Sequence, residues 1–509
     1  MDELEKQEKE MLVSEMSKQE VNNYRRSETP QGRVETEPGQ TKKMAGIDEL
    51  STKILEGELD KKSKAKTNKN EIYTASFEEL CDLVVEDNKI KFLTFNREIV
   101  DKVKVDGLTL IPPPKTGLPP NLMIANCTKV LDYAQKHNIT GVTDDSGLCK
   151  GCSQLYKDLQ KYHEKISELP DSNLYHLLVS WDFHTYLIEK ANFSPIIYFY
   201  SIAERGKSRT LKGMVYVSYR GIRKGDIRDA QLLRDCTNLK ATLAFDMMDF
   251  WDKVKISGSV DVILNRFERG LTISRVNRPD KGAFKDTDYY DVFGPTLLGT
   301  NEIIHDIADT RAIAIIMRKS DKDFEEEVLP KNALDLKEQL TAFRLVHFKD
   351  KLPRVEKIVK GRLGDIIKPL YQIICKICPE NKDIFIETIK KIEKTKLTDK
   401  SNSMEAEILL AISRCMNEIV RGVVACQLIT NKYNDTKEEK EKITSRRIGN
   451  KIRSLGFNST TTYTGALGFF WDLDLFDKLI KEYGVRPLAS LETSVTSESF
   501  EAGVPEELL

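Results

Sequence analysis

The segment IIYFYSIAERGKSRTLKG, residues 196–213, carries the residue types that grip a phosphate. An aromatic and β-branched run leads through Gly206-Lys207-Ser208 into residues that favour helix. A strand, turn and helix in that order aim backbone N–H groups at an anion, while a lysine adds a point charge and a hydroxyl meets Mg²⁺. Gly206 would permit the unusual backbone, Lys207 would reach the β and γ phosphates, and Ser208 would hold the metal. Ser201 stands where the pattern GxxxxGK[ST] has its first glycine, and Arg205 and Arg209 flank the triplet as further cofactor-binding candidates. A GKS triplet alone suits a charged strand-to-helix turn equally well, so its meaning depends on the chain beyond residue 213.

Three later segments bring polar groups to the ends of apolar runs. KATLAFDMMDFWD, at 240–252, reads as a strand ending in Asp246, a carboxylate able to share Mg²⁺ with Ser208. DVFGPTLLGTNEII reads as another, whose end, Thr300 and Asn301, would touch the γ phosphate or the attacking water. IADTRAIAIIMRKS sets Arg311 immediately before one more. Asp246, Asn301 and Arg311 are therefore candidate catalytic residues, and ATP with Mg²⁺ is the expected cofactor pair. Four strands with suitable polar ends argue for a nucleotide-binding α/β core over coincidence.

These groups need a scaffold. LYKDLQKYHEKI and NLYHLLVSWDFHTYLIEKA place apolar residues at three- and four-residue intervals, predicting two helices as a collar ahead of the core, with Pro195 ending the second. Short apolar runs over 71–150 predict a small β or α+β module, and the prolines at 112–114 and 119–120 a stiff connector. The core and its collar occupy 151–320, and 321–435 reads as a helical lid bundle in which Arg362 is a surface residue. At 436–485 a basic helix, capped by Thr444 or Ser445 and carrying Arg446, Arg447, Lys451 and Arg453, precedes two short strands around Gly465. A helix followed by a β wing resembles a winged helix whose basic helix contacts DNA or a primase; a small packing module with solvated arginines is the other reading. Residues 1–70 and 486–509 have the composition of disordered tails, the first ending in the cluster Lys61, Lys62, Lys64 and Lys66.

Bulk composition narrows the class. The 79 Lys and Arg against 80 Asp and Glu leave no global field for a polyanion, so any nucleic-acid site must be a local patch. No apolar run is long enough for a bilayer, MDELEKQEKEMLV lacks the character of a signal peptide, and nine cysteines cannot pair fully, so a cytoplasmic protein with reduced thiols is expected. Cys149/Cys152 and Cys375/Cys378 have CxxC spacing that suits zinc. The pairs lie more than two hundred residues apart and neither has a histidine at ligand spacing behind it, so core or free thiols are expected.

In order and spacing, LLVSWDFHTYLIEKANFSPIIYFYS, GKSRTLK, TLAFDMMDFWD, ILNRFERGLTISRV, YDVFGPTLLGTNE and DTRAIAIIMRKS resemble the AAA+ type P-loop ATPases of mobile genetic elements and phages, helicase modules associated with primases. The resemblance spans about residues 150–480. It implies an α/β fold: a P-loop, AAA+ like core with helical collar and lid, the small N-terminal module and a C-terminal winged helix. It implies a hexameric ring that binds ATP between subunits and acts on DNA in replication, with a primase or other replication protein as partner. By resemblance Lys207 and Ser208 are the phosphate-loop pair, Asp246 the metal carboxylate, Asn301 the sensor, and Arg311 a finger on the neighbouring subunit's γ phosphate. A pore hairpin is implied within SRVNRPDKGAFKDTDYYDV, with Arg278, Lys281 and Lys285 as phosphate contacts and Tyr289 or Tyr290 stacking on a base. A solvated loop is the other reading of that segment. One departure matters: Met247 stands where the family pattern has glutamate, and a thioether cannot take a proton. Asp249, Asp252 or Glu204 would have to substitute; otherwise the chain is a nucleotide-gated DNA-binding scaffold or loader that hydrolyses poorly.

Overall fold

A computed structural model describes residues 71–136, 139, 149–302, 306–435 and 437–485. Both tails, with the Lys61–Lys66 cluster, lie outside the described residues. The architecture is mixed α/β around a parallel sheet.

Strands β1 (Glu71–Tyr73), β2 (Leu80–Glu86), β3 (Lys89–Thr94), β4 (Ile99–Val100), β5 (Val103–Val105), β6 (Leu108–Ile111) and β7 (Ala125–Asn126) form two small sheets, ordered β1-β6-β5 and β4-β3-β2-β7, followed by helix α1 (Cys127–Gln135). Asp87 and Asn88, at φ of 47° and 62°, make the two-residue turn between β2 and β3, a geometry these short polar residues tolerate. The proline-rich stretch is not a free connector between domains: it runs within this module, where the Asn121 amide donates to the Arg223 carbonyl at 2.7 Å and pins it beside the central sheet.

Collar helices α2 (Lys150–Ile166) and α3 (Leu174–Tyr186) come next, and α3 is buried along its whole length. The central unit then runs β8 (Ile196–Tyr200), α4 (Lys207–Val217), β9 (Gly221–Lys224), α5 (Asp229–Leu239), β10 (Thr242–Asp246), α6 (Phe250–Ile256), α7 (Val260–Asn265), the hairpin β11 (Thr272–Val276) and β12 (Thr287–Asp291), β13 (Thr296–Thr300), α8 (Asp306–Asp309) and β14 (Ala312–Ile316). Its five parallel strands lie in the order β14-β8-β13-β10-β9. Both faces of this sheet are covered, which is why its strands read as unbroken apolar runs. Alternate residues feed opposite cores: Ile197, Phe199 and Leu297 pack with the collar, and Ile196, Tyr198 and Leu298 pack with α5, α6 and α7.

Helices α9 (Pro330–His347), α10 (Gly361–Ile377) and α11 (Lys382–Ser401) come after the sheet. α9 lies on α1, α2 and α4, and α10 on α3, within the collar's own core, so these helices are continuous with the body and do not form a lid apart from it. A further core gathers α12 (Met404–Arg414), β15 (Val423–Ala425), α13 (Cys426–Asn434), α14 (Ser445–Ser454), β16 (Ser459–Thr461), β17 (Leu467–Phe470) and α15 (Leu473–Tyr483), with sheet order β15-β17-β16. The last unit therefore begins near residue 404, not 436, and includes a strand that sequence reading assigned to helix. β15 is only three residues long, too short to show alternation.

Two buried arginines tie the N-terminal module to the body. The Arg344 guanidinium makes a paired contact with Glu189 at 2.7 and 2.8 Å and donates to the carbonyls of Cys81 and Tyr186 at 2.8 and 2.6 Å. Arg220 donates to Asp82 at 2.8 Å and to the carbonyls of Ala75 and Leu239. Tyr219 lies between them, 4.5 Å and 4.9 Å from the two guanidinium carbons. Glu189 is exposed, whereas Arg220 and Asp82 are both buried, and a charge pair buried on both sides is costly to break from one side because the remaining carboxylate loses its partner. Arg220→Met should lower unfolding free energy by about 3 kcal/mol, read from guanidinium denaturation; a loss no larger than that of a typical surface substitution would remove the knot from this role.

Candidate functional site

β8 ends at Tyr200 and α4 begins at Lys207. Gly206 caps the helix at φ 79°, a left-handed conformation that a Cβ would strain, and Glu204 is left-handed as well at 60°. The Lys207 side chain folds back into the loop and is buried. Its ammonium donates to the Ser201 carbonyl at 2.6 Å, the Ile202 carbonyl at 2.7 Å and the Ser201 hydroxyl at 3.1 Å. Burial lowers the Lys207 pKa, and the negative charge of Asp246 opposes that shift.

The Ser208 hydroxyl donates to Asp246 Oδ1 at 2.8 Å, and the Arg223 guanidinium lies 3.7 Å from Oδ2. These residues meet although β13 separates their strands. Phe199 of β8 and Asp246 of β10 both stand opposite Gly299 of β13, so the three strand ends are level. Gly299 lets α4 settle across them: a Cβ there would lie 3.1 Å from Leu211 Cδ1 and 3.6 Å from Asp246 Oδ1.

Asn301 comes directly after β13 and is exposed on the edge between the loop and Asp246. The next residue, Glu302, escaped sequence reading. Burial raises its pKa, and a hydrogen bond with Asp249 adds to the rise, while the Trp251 N–H donates to it and acts in the opposite direction. Asp249 caps α6 at φ 52°. Met247 is buried in an apolar cluster that includes Phe250 and Trp251, and Asp252 is exposed and paired with Lys255 at 3.3 Å. The only signal for Glu302 in the sequence was its place beside Asn301 at a strand end.

Not every candidate gathers here. Arg205 is half-buried in the loop, whereas Arg209 turns away, donating to the Ile166 carbonyl at 2.5 Å and to the Glu326 carbonyl, and stacking over Phe324. Its position two residues along α4 from Lys207 puts it on a different side of the helix. Arg311 precedes β14 at the opposite, amino-terminal end of the strands, about 16 Å from the loop along a five-residue strand. There it donates to the Leu264 carbonyl at 2.6 Å and lies over the Phe267 ring, beside Arg362, which bonds Thr310 at 3.0 Å.

The segment 274–292 is a hairpin, with Thr272 opposite Asp291 and Val276 opposite Thr287. Lys281, Lys285 and Phe284 are exposed around its tip, Phe284 completely, and Tyr289 is exposed midway along β12. Arg278 is also exposed but lies 3.7 Å from Asp288. Tyr290 is no stacking surface, because its hydroxyl accepts from Asn277 and its ring packs on the core. On α14, Arg446, Arg447 and Arg453 are exposed, while Lys451 turns inward to pair with Glu405 of α12. Thr444 is the cap position but makes no side-chain cap bond; Ser445 donates to Gln427 at 2.7 Å.

No family model matches this chain, and no curated protein matches it. Solved structures similar to it include the A form apo structure of the NrS-1 C terminal region, at 15% identity and TM-score 0.32 over 83% of this chain and 90% of that one. Another apo structure of the same region gives 13% and 0.33 over 82% and 90%. Drosophila ORC bound to DNA gives 12% and 0.17 over 69% and 99%. At these TM-scores none of them assigns a role to any residue of this chain. No helix among the described residues is long and apolar enough to cross a membrane.

Lys207 ties the Ser201 and Ile202 carbonyls together, the second of which also accepts from the Ser201 hydroxyl at 2.9 Å. Lys207→Ala should remove that tie and loosen the loop, speeding amide hydrogen exchange over 201–206 by about tenfold while exchange in β10 and β13 stays unchanged, measured by mass spectrometry on the nucleotide-free chain; unchanged loop exchange would contradict the bonding described.

Proposed function

We propose that this chain is an ATP-binding AAA+ protein that assembles as a hexameric ring and acts on DNA as a helicase or translocase in replication of a mobile element or phage, alongside a primase. The observation that carries the reading is the meeting of Ser208 with Asp246 beside a left-handed Gly206 and a buried Lys207. The order β14-β8-β13-β10-β9 supports it, since chain connections leave β8 toward one edge and return to its other side, and ligands of open α/β sheets bind outside the carboxyl ends at such a switch point.

The residues fit the cofactors. Ser208 and Asp246 supply hard oxygen donors suited to Mg²⁺, an ion that neutralises phosphate charge when bound. Lys207 keeps its ammonium within the loop, ready to exchange carbonyl partners for phosphate oxygens. Asn301 would orient the attacking water from the next strand end. Glu302 takes the part that Met247 cannot, accepting the water's proton, with Asp249 beside it to raise its basicity. Arg311 cannot reach its own loop, which leaves it for a neighbour's γ phosphate in the ring.

The exposed aromatic and basic tip of the β11–β12 hairpin provides stacking and phosphate contacts for a single strand. The C-terminal unit, with α14 and the β16–β17 wing, is a winged helix offering Arg446, Arg447 and Arg453 to DNA, while Arg278 supports the hairpin contacts. A second reading rests on Met247: a scaffold that assembles on ATP and does not turn it over.

Steady-state ATP hydrolysis with and without single-stranded DNA separates the two. Turnover stimulated by DNA and abolished in Lys207→Ala is expected; absent wild-type turnover with intact ATP binding leaves the scaffold, and absent nucleotide binding sinks both. Glu302→Gln should cost about 10²-fold in kcat with ATP affinity retained. As a base, Glu302 works only when deprotonated, so wild-type kcat should rise with pH through a midpoint above the ordinary carboxylate range, and the variant should lose that limb. Separately, Lys281→Gln with Lys285→Gln should weaken single-strand binding and reduce its log–log salt slope by about 1.4, while Lys451→Gln leaves that slope unchanged.

A further inference from the structure

We propose that Cys149, Cys152 and His347 form a zinc site that clamps the collar to α9. Cys149 is the N-cap of α2, Cys152 lies in its first turn, and His347 is the last residue of α9. Their ligand atoms all lie within 4.8 Å of one another, and all three residues are buried. Cys152 Sγ is 3.2 Å from His347 Nε2. Zinc–sulfur bonds of about 2.3 Å and zinc–nitrogen bonds of about 2.0–2.1 Å put the donors of a tetrahedral ion roughly 3.5–3.8 Å apart, so small side-chain rotations suffice to close these three around one.

The second sphere is already in place. His347 Nδ1 donates to Asp350 at 2.8 Å, and Lys376 of α10 holds the same carboxylate oxygen at 2.9 Å. With its proton on Nδ1, the imidazole presents the Nε2 lone pair to the two sulfurs, the tautomer a metal requires, and a carboxylate behind the ring is how zinc-bound histidines are commonly oriented. Two thiolates and an imidazole favour zinc over the hard cations that suit Ser208 and Asp246. Two thiolate charges also balance a divalent ion, which lowers the cost of enclosing it. No described residue fills the fourth tetrahedral position.

The other CxxC pair shows that spacing alone does not make a site. Cys378 accepts a hydrogen bond from the Asn381 amide at 3.1 Å, and Cys375 is half-buried at the end of α10; neither belongs to a group of metal-type donors among the described residues. Cys149 and Cys152 differ because the fold delivers a histidine 195 residues further along the chain. The clamp joins α2 to α9 and, through Asp350 and Lys376, to α10.

The test uses the full chain, purified under a non-thiol reductant without chelator. Elemental analysis should find about one zinc per chain, and replacement by Co²⁺ should give the thiolate-to-cobalt charge-transfer and tetrahedral visible bands expected of a mixed sulfur and nitrogen site. Cys149→Ser with Cys152→Ser should abolish both signals, and Cys375→Ser with Cys378→Ser should keep them. The proposal is overturned if wild-type protein takes up neither ion, if the bands persist without Cys149 and Cys152, or if mass spectrometry shows the two joined as a disulfide. The wild-type cobalt spectrum decides the matter even should a variant fail to fold.

Discussion

The placement of β13 between β8 and β10 governs the rest of this molecule. It holds the loop after β8 and the carboxylate at the end of β10 two strands apart, a separation that only a residue on α4 can bridge. Ser208 does so because Gly299, opposite both Phe199 and Asp246, carries no side chain to lift α4 from the sheet. The same strand is followed directly by Asn301 and Glu302, so the interposed element brings polar groups of its own to the gap it creates. Sheet order, helix seat and site composition are thus one constraint.

A loop that holds a buried ammonium by carbonyls needs rigid ends. Tyr162, Tyr186 and Trp181 of the collar hydrogen-bond carbonyls of Gly213, Val217 and Pro195, fixing α4 and the approach to β8. Behind them the Arg344 and Arg220 contacts lock the N-terminal module to the same layer. Buried charge stabilises little by itself, since its desolvation offsets the attraction. Its consequence here is specificity of position: each guanidinium accepts only one arrangement of carbonyls and carboxylates drawn from segments far apart in the chain.

Legibility in the sequence tracks the range of the contacts involved. The strands of the central sheet are buried on both faces and announce themselves as apolar runs; the turn after β8 is local, written in Gly206, Lys207 and Ser208. The β16–β17 hairpin around Gly465 is local too and was visible, whereas the hairpin at 272–291 was implied only by the family resemblance, with a solvated loop as the other reading. Contacts made across the fold were not. Nothing near Lys451 in sequence says that Glu405 will neutralise it, nor does anything near Arg209 say that Ile166 and Glu326 will turn it from the loop. The meeting of Cys152 with His347 is of the same kind, and a rule that looks for histidine at short spacing must miss it. The boundary at 404 was hidden because α12 and α13 have ordinary helical patterning; only the core they share with Phe469 and Phe476 assigns them to the C-terminal unit.

Met247 shows how a missing group can be a matter of location. Its side chain lies with Phe250 and Trp251 in an apolar cluster, where an unpaired carboxylate would pay a desolvation penalty of several kcal/mol or give up its charge. Acidic groups are instead found just past the strand ends, the exposed Asp249 after β10 and the half-buried Glu302 after β13, bonded to each other. Burial first, and then contact with the Asp249 carboxylate, raise the Glu302 pKa above that of a free glutamate. A glutamate at 247 could keep its charge only by opening that apolar layer, whereas Glu302 carries a carboxylate beside Asn301 without disturbing it.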